Sequence, residues 1–261
     1  MMRSFYTLLI SSLLFVVSAA HAEKVTIAAA ADLKFAMDDI VQTYQKSHPE
    51  DQIDVIYGSS GKFFTQIQQG APYDLYFSAD IEFPRKLAAA GFSSSEVKPY
   101  ALGRIVLWSS VMDAGKMTLN SLTSTDIRRI AIANPKHAPY GKRAEEALRA
   151  IGIWEKIQSK LVYGENIAST AQLAETGNAQ VGIIALSLAV NPELAKKGAY
   201  WLIPDTLHDP LEQGFIVTRR AENNMLAKRF ADYMASEPAR TVMTRYGFVL
   251  PAKSKDVTTP K

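Results

Sequence analysis

A strand that runs into a helix through a row of alanines constrains this chain more than any other feature. In residues 24–39, KVTIAAAADLKFAMDD, Val25, Ile27 and the small residues 28–31 have the pattern of a short buried strand. Leu33, Ala36, Met37 and Ile40 follow at helical spacing, and Asp32 stands where a helix N-cap is expected. Alanines at such a junction let a guest approach the backbone closely. The guest meets first-turn N–H groups with no intrahelical acceptor, at the positive end of the helix dipole. That is a setting for an anion.

The unit recurs along the chain. Residues 52–56 alternate as a strand and end at Tyr57-Gly58-Ser59-Ser60-Gly61, with a helix expected over 62–69. DLYF at 74–77 is a further strand, closing at Ser78-Ala79-Asp80 before a helix that begins near Ile81. Three successive strand–turn–helix units imply a parallel sheet covered by helices, with ligands beyond the carboxyl ends of its strands. At 104–108, RIVLW reads as an apolar strand crossing to a second lobe. There, IAIA at 130–133 opens into a loop with two prolines, and helices are expected over 142–151 and 167–177. A short helix is expected after Ser121-Leu122-Thr123, and strands at 181–185 and 200–204. Residues 213–217 read as the return crossing, and helical segments at 225–235 and 239–247 finish the first lobe. The expected fold is α/β: two doubly wound lobes joined by two crossover strands, with a ligand cleft between them. Lobe I takes residues 23–102 plus 212–250, lobe II takes 103–211, and 251–261 form a polar tail.

The first 22 residues are set apart from this plan. Arg3, an apolar run over 5–17 and the ending Ala20-His21-Ala22 make a cleavable secretory signal peptide, with an apolar core shorter than the ~20 residues a bilayer span needs. Removing Arg3 leaves 28 of the 29 basic residues against 26 acidic ones, which gives no footprint for nucleic acid. The chain has no cysteine, so it has neither a disulfide nor a lipid-modified cysteine. The mature protein is expected to be periplasmic, monomeric and stabilised by its core alone.

Catalytic patterns are sparse. Of four histidines, His21 leaves with the signal, and His48, His137 and His208 lack metal-ligand spacing. No nucleophile elbow, Walker loop or dinucleotide fingerprint is present. Ser59 and Lys62 have Ser-x-x-Lys spacing, which leaves a periplasmic Ser/Lys hydrolase as a minor alternative. The recurrent chemistry is instead donation: Ala31-Asp32, Ser59-Ser60, Pro139-Tyr140 and Asn166-Ile167 all stand at or near expected helix starts. Each alone is explained by capping or turn chemistry; four in one exported chain point to one anion.

AAAADLKFAMDDI, YGSSGKFFTQIQQGAPYDLYFSAD, IAIANPKHAPYGKRAEEAL, ENIASTAQLAETGNAQVGII and RYGFVLP, in this order and spacing, resemble the periplasmic molybdate-binding proteins of ABC importers. The resemblance implies a periplasmic-binding-protein type II-like fold that captures molybdate, and with it tungstate, for an inner-membrane permease powered by a cytoplasmic ATPase. It implies no cofactor and no metal coordinated directly by protein. The anion ligands it implies fall on Asp32, Ser60, Tyr140 and Ile167. Ser60 would give hydroxyl and amide, Tyr140 its phenol and its amide, and Ile167 an amide alone. A receptor for another oxyanion, such as sulfate or chromate, is the alternative within this class.

Two positions depart from the family. Ala185 has no hydroxyl where some members carry tyrosine, and Tyr140 compensates as in another branch. Asp32 replaces serine or asparagine. A carboxylate about 4 Å from a dianion is repelled by roughly 8 kcal/mol at an effective dielectric near 20. The expectation is that this carboxylate turns back to cap its own helix while its amide faces the anion; the rival is a protonated Asp32 that donates to the anion. Under the cap reading, Asp32→Asn leaves affinity within about tenfold. Lys34 and Lys62 read as solvated helix-surface lysines. Tyr57, Phe63, Phe64 and Tyr76 read as core, and Ser59 and Ser78 as capping residues.

Overall fold

The computed structural model describes residues 24–252. The signal-peptide segment, and the tail beyond Ala252, lie outside the described residues. The first part of the chain gives β1 (Lys24–Ala30), a 3-10 turn over Ala31–Leu33, α1 (Lys34–Gln45), β2 (Gln52–Gly58) and α2 (Ser60–Gln68). It continues with β3 (Leu75–Ser78), α3 (Glu82–Ala89) and β4 (Lys98–Gly103). The middle part contains β5 (Ile105–Ser109), β6 (Ile130–Ala133), α4 (Pro139–Ala150), α5 (Trp154–Ile157) and β7 (Leu161–Gly164). After it come α6 (Ile167–Glu175), β8 (Val181–Ala185), α7 (Leu186–Ala189), α8 (Pro192–Lys197) and β9 (Ala199–Leu202). The chain closes with β10 (Leu211–Val217), α9 (Met225–Tyr233) and α10 (Glu237–Arg245).

These strands form two five-stranded sheets, ordered β2-β1-β3-β10-β4 and β7-β6-β8-β5-β9. In the first, β1 runs parallel to β2 and β3, whereas β10 runs antiparallel to β3 and β4. The second repeats the plan: β6 is parallel to β7 and β8, and β5 is antiparallel to β8 and β9. The expected parallel core is present, and each sheet is mixed because a crossing strand enters it in the opposite sense. The reading of 104–108 as one crossing strand changes accordingly. Ladder pairing ends at Gly103 in the first sheet and resumes at Ile105 in the second, so Arg104 makes the crossing.

The central strands β1, β3 and β10 of the first sheet are covered on both faces and are largely apolar, whereas the edge strands β2 and β4 carry exposed residues. Val25, Ile27 and Ala29 of β1, Leu75 and Phe77 of β3, and Phe215 and Val217 of β10 pack on the side of α1, α9 and α10. Ala28, Tyr76 and Ile216, one residue out of phase, pack with Phe63 and Ile67 of α2 on the other side. This alternation of period two defines a doubly wound sheet. Ala30, Ala31 and Ala79, at the strand ends, join the core of the second lobe. Small side chains there bring the two lobes into contact.

Two local expectations are corrected. α4 begins at Pro139 rather than at Lys142, because proline supplies the helical φ and its missing N–H costs nothing in the first position. The helix expected after Ser121-Leu122-Thr123 is instead a 3-10 turn over Leu119–Thr123, which contains those residues.

Candidate functional site

The structure brings Asp32, Ser60, Tyr140 and Ile167 to one cavity between the lobes. It is lined also by Ala30, Ala31, Ser59, Ala79, Ala138 and Pro139, and spans about 190 Å³ including the part open to solvent. Neither lysine nor arginine is among its lining residues. The N-termini of α2, α4 and α6 converge here, and the amides of Ser60, Tyr140 and Ile167 lie in first turns, where no intrahelical acceptor exists. α6 is started by a capping box: Asn166 Oδ1 accepts from the Ser169 amide at 2.9 Å, and Ser169 Oγ accepts from the Asn166 amide at 3.0 Å. These mutual bonds occupy Asn166 and Ser169 and leave the Ile167 amide to the cavity. α4 can abut the end of β6 only because residue 141 is glycine. A Cβ there would lie 2.0 Å from the Ala133 carbonyl oxygen.

Ser60 is held from two sides. Its Oγ accepts from the Ala79 amide at 3.0 Å, and its carbonyl accepts from the Tyr76 hydroxyl at 2.7 Å. The hydroxyl proton of Ser60 has no acceptor among the described residues, so it is available to a guest. Ser59 is used differently: its Oγ donates to the His137 carbonyl of the other lobe. The Gly61 amide donates to that same oxygen at 3.0 Å. Lys62 also reaches across, with Nζ 2.9 Å from Glu165 Oε1. Its side chain is exposed on the surface of α2, as expected, and has an exposed acidic partner on the other lobe. Lys34 lies over the rings of Phe35 and Tyr57, and its Nζ is 3.4 Å from Asp38 Oδ2.

Asp32 overturns the capping expectation. It lies inside the 3-10 turn, whose N-cap is Ala30, and its carboxylate turns to side chains from distant elements. Oδ2 accepts instead from Tyr140 Oη at 2.9 Å and from Gln213 Nε2 at 2.8 Å, and Gln213 Nε2 is also 3.0 Å from Tyr140 Oη. Oδ1 is buried and has no partner among the described residues. The Asp32 carbonyl accepts from Ser187 Oγ at 2.7 Å. Burial pushes the Asp32 carboxyl up to about 6, and the hydrogen bonds from Gln213, from Tyr140 and from its own amide only partly counter it. The Tyr140 phenol is held well above its ordinary range, by burial first and by Asp32 second. This geometry also corrects the expected role of that phenol: its proton goes to Asp32, and the Tyr140 amide is the donor left for a guest.

Gln213 is the residue that sequence reasoning passed over. It is fully buried in β10, between Glu212 and Gly214. An amide side chain in a strand whose other residues include Leu211, Phe215, Ile216 and Val217 was the available signal, since a buried polar group needs partners. Tyr76, Tyr100 and Ser187 left no comparable trace, because their hydroxyls reach partners far along the chain.

Comparison with known proteins agrees with this architecture. Residues 25–249 match the family described as bacterial extracellular solute-binding protein. The molybdate-binding protein ModA of Rhodobacter capsulatus is 35% identical over 198 residues, covering 74% of this chain and 75% of that protein. ModA of Azotobacter vinelandii is 35% identical over 237 residues, covering 89% and 92%. The solved periplasmic molybdate-binding protein of Azotobacter vinelandii superposes with a TM-score of 0.80 at 28% identity, over 87% of this chain and 99% of that one. The chain thus belongs to the bacterial extracellular solute-binding proteins, in one family with these molybdate-binding relatives.

Proposed function

We propose that this protein is an extracytoplasmic receptor that captures molybdate, and with it tungstate, between its lobes and delivers it to an ABC permease. The observation that carries this reading is the cavity itself. Three helix N-termini and the Ser60 hydroxyl face one small volume that no lysine or arginine lines. Neutral, fixed donors suit a fully ionised tetrahedral oxyanion. The anion is held by the Ser60 hydroxyl and amide and by the amides of Tyr140 and Ile167, with Asp32 beside it. The metal arrives wrapped in its own oxygens, so no side chain coordinates it. Cleavage after residue 22 releases a periplasmic monomer, and the permease's cytoplasmic ATPase supplies the energy.

Selection against phosphate rests on donors without acceptors: a protonated phosphate brings an O–H that would find no partner. Selection against sulfate rests on the fixed size of the cage. The Ser/Lys hydrolase alternative loses support from the site, since Ser59 donates to a backbone carbonyl and Lys62 is paired with Glu165. Thermal denaturation with a panel of oxyanions tests the reading. Molybdate and tungstate at about 100-fold excess over Kd are expected to stabilise the protein by roughly 3 kcal/mol, and sulfate and phosphate to leave it unchanged. Stabilisation by sulfate alone would move the assignment to the other oxyanion. Ser60→Ala removes one charge-assisted donor and is expected to weaken molybdate binding about tenfold, close to 1.5 kcal/mol. Titration calorimetry reads this directly.

A further inference from the structure

Asp32 is the one acidic group at a site otherwise made of donors, and its geometry fixes where a proton would sit. Oδ2 already takes two hydrogen bonds, from Tyr140 and Gln213. Oδ1 is buried without a partner among the described residues, and Asp32 lines the cavity. A proton added to this carboxyl therefore belongs on Oδ1. Ionised, an unpartnered oxygen at this cavity is an acceptor that a dianion cannot use; protonated, it is one more donor.

We propose that Asp32 binds the oxyanion as a neutral carboxylic acid donating through Oδ1, so that each dianion captured takes one proton into the cleft. This rests on the oxyanion reading of the cavity and extends it to the charge state of the site. Protonation converts the only carboxylate among the described residues that line the cavity into a donor, which completes a lining that offers a protonated phosphate no carboxylate acceptor.

Among the described residues, the groups around Asp32 supply no countercharge that would keep the carboxylate ionised beside the guest. Tyr140 on α4 and Tyr100 on β4 are both held well above the ordinary phenol range by burial, and so are neutral. Gln213 on β10 and Ser187 on α7 carry no charge. His137, bonded to Ser59, is shifted down by burial and by Lys62, away from its cationic form. Lys62 faces Glu165, and Lys34 faces Asp38. In the free protein burial already lifts the Asp32 carboxyl to about 6. A dianion alongside raises it further, since like charge disfavours the ionised form. At pH 8 the free carboxyl is mostly ionised, so binding must draw a proton from solvent.

Calorimetric titration of the mature protein with sodium molybdate tests this, in buffers of different ionisation enthalpy between pH 6.5 and 8.5. Uptake is expected to rise toward one proton per anion at the alkaline end, with Kd weakening toward tenfold per pH unit. Asp32→Asn should bind with no comparable uptake and a nearly flat pH profile. Molybdate binding by the wild type without proton uptake at pH 8, or an Asn variant with the same pH slope, overturns the proposal and leaves the receptor reading standing. Absence of both heat and thermal stabilisation at every pH removes the receptor reading itself, and this proposal with it. The uptake measurement uses the wild type, so it decides the question even if the variant fails to fold.

Discussion

Gly61→Ala is expected to weaken molybdate binding about 100-fold while leaving the stability of the ligand-free protein nearly unchanged. Gly61 stands in the first turn of α2, on one lobe, and its amide bonds the His137 carbonyl on the other. A Cβ at this position would lie 2.6 Å from that carbonyl oxygen and 3.1 Å from the His137 Cα. Both neighbours are backbone, and neither can swing aside as a side chain could. The methyl group must therefore hold the lobes apart or displace the loop before α4. Overpacking of this kind costs about 1–3 kcal/mol, and the upper half of that range corresponds to the expected loss of affinity. The cost falls on contact between lobes and not on either sheet, so the melting temperature without ligand is the discriminating control. Equal losses in binding and in ligand-free stability would mean that the methyl group disrupts α2 itself. Unchanged affinity would mean that binding does not require the Gly61–His137 contact.

The second large effect concerns stability and pH. Asp32 has its folded-state value raised from 3.8 to about 6 by burial. Between those two values the folded chain holds the proton more tightly than the unfolded chain, so stability falls as pH rises through the interval. The interval is about two pH units, each worth about 1.4 kcal/mol, so the ligand-free protein loses roughly 3 kcal/mol from this group by neutral pH. Asp32→Asn keeps an oxygen that can accept from Tyr140 and Gln213 and carries no charge. It should be more stable than the wild type by up to about 3 kcal/mol at pH 7.5, with the advantage fading toward pH 4. Urea denaturation of both proteins at the two pH values measures this. A constant difference across the range would show that the ionisation of Asp32 is not its source. The wild-type carboxyl therefore weakens the ligand-free fold near neutral pH, as expected of a group placed for a guest rather than for packing.

The sequence alone determined the local grammar. The strand–small residue–helix units, the helix start at Ile167 and the two-lobe α/β plan depend on periodicity, capping residues and glycine or proline punctuation within a few positions of each other, whereas α2 begins at Ser60, two residues before the start expected at Lys62. Those signals act over one or two turns, so they can be read without coordinates. Tertiary structure alone decided what Asp32 does. A carboxylate at a helix start has a local option, capping, and sequence reasoning assigned it that option. In the folded chain its partners are Tyr140 and Gln213, 108 and 181 positions away, and the two donors reach Oδ2 only because β10 returns to the first sheet while α4 arrives from the second lobe. The same holds for Gly61 against His137, where a glycine that reads as turn chemistry proves to be clearance between lobes. Local patterns set backbone conformation through short-range hydrogen bonds. The charge state and partners of a buried side chain depend on which distant elements the packing brings against it.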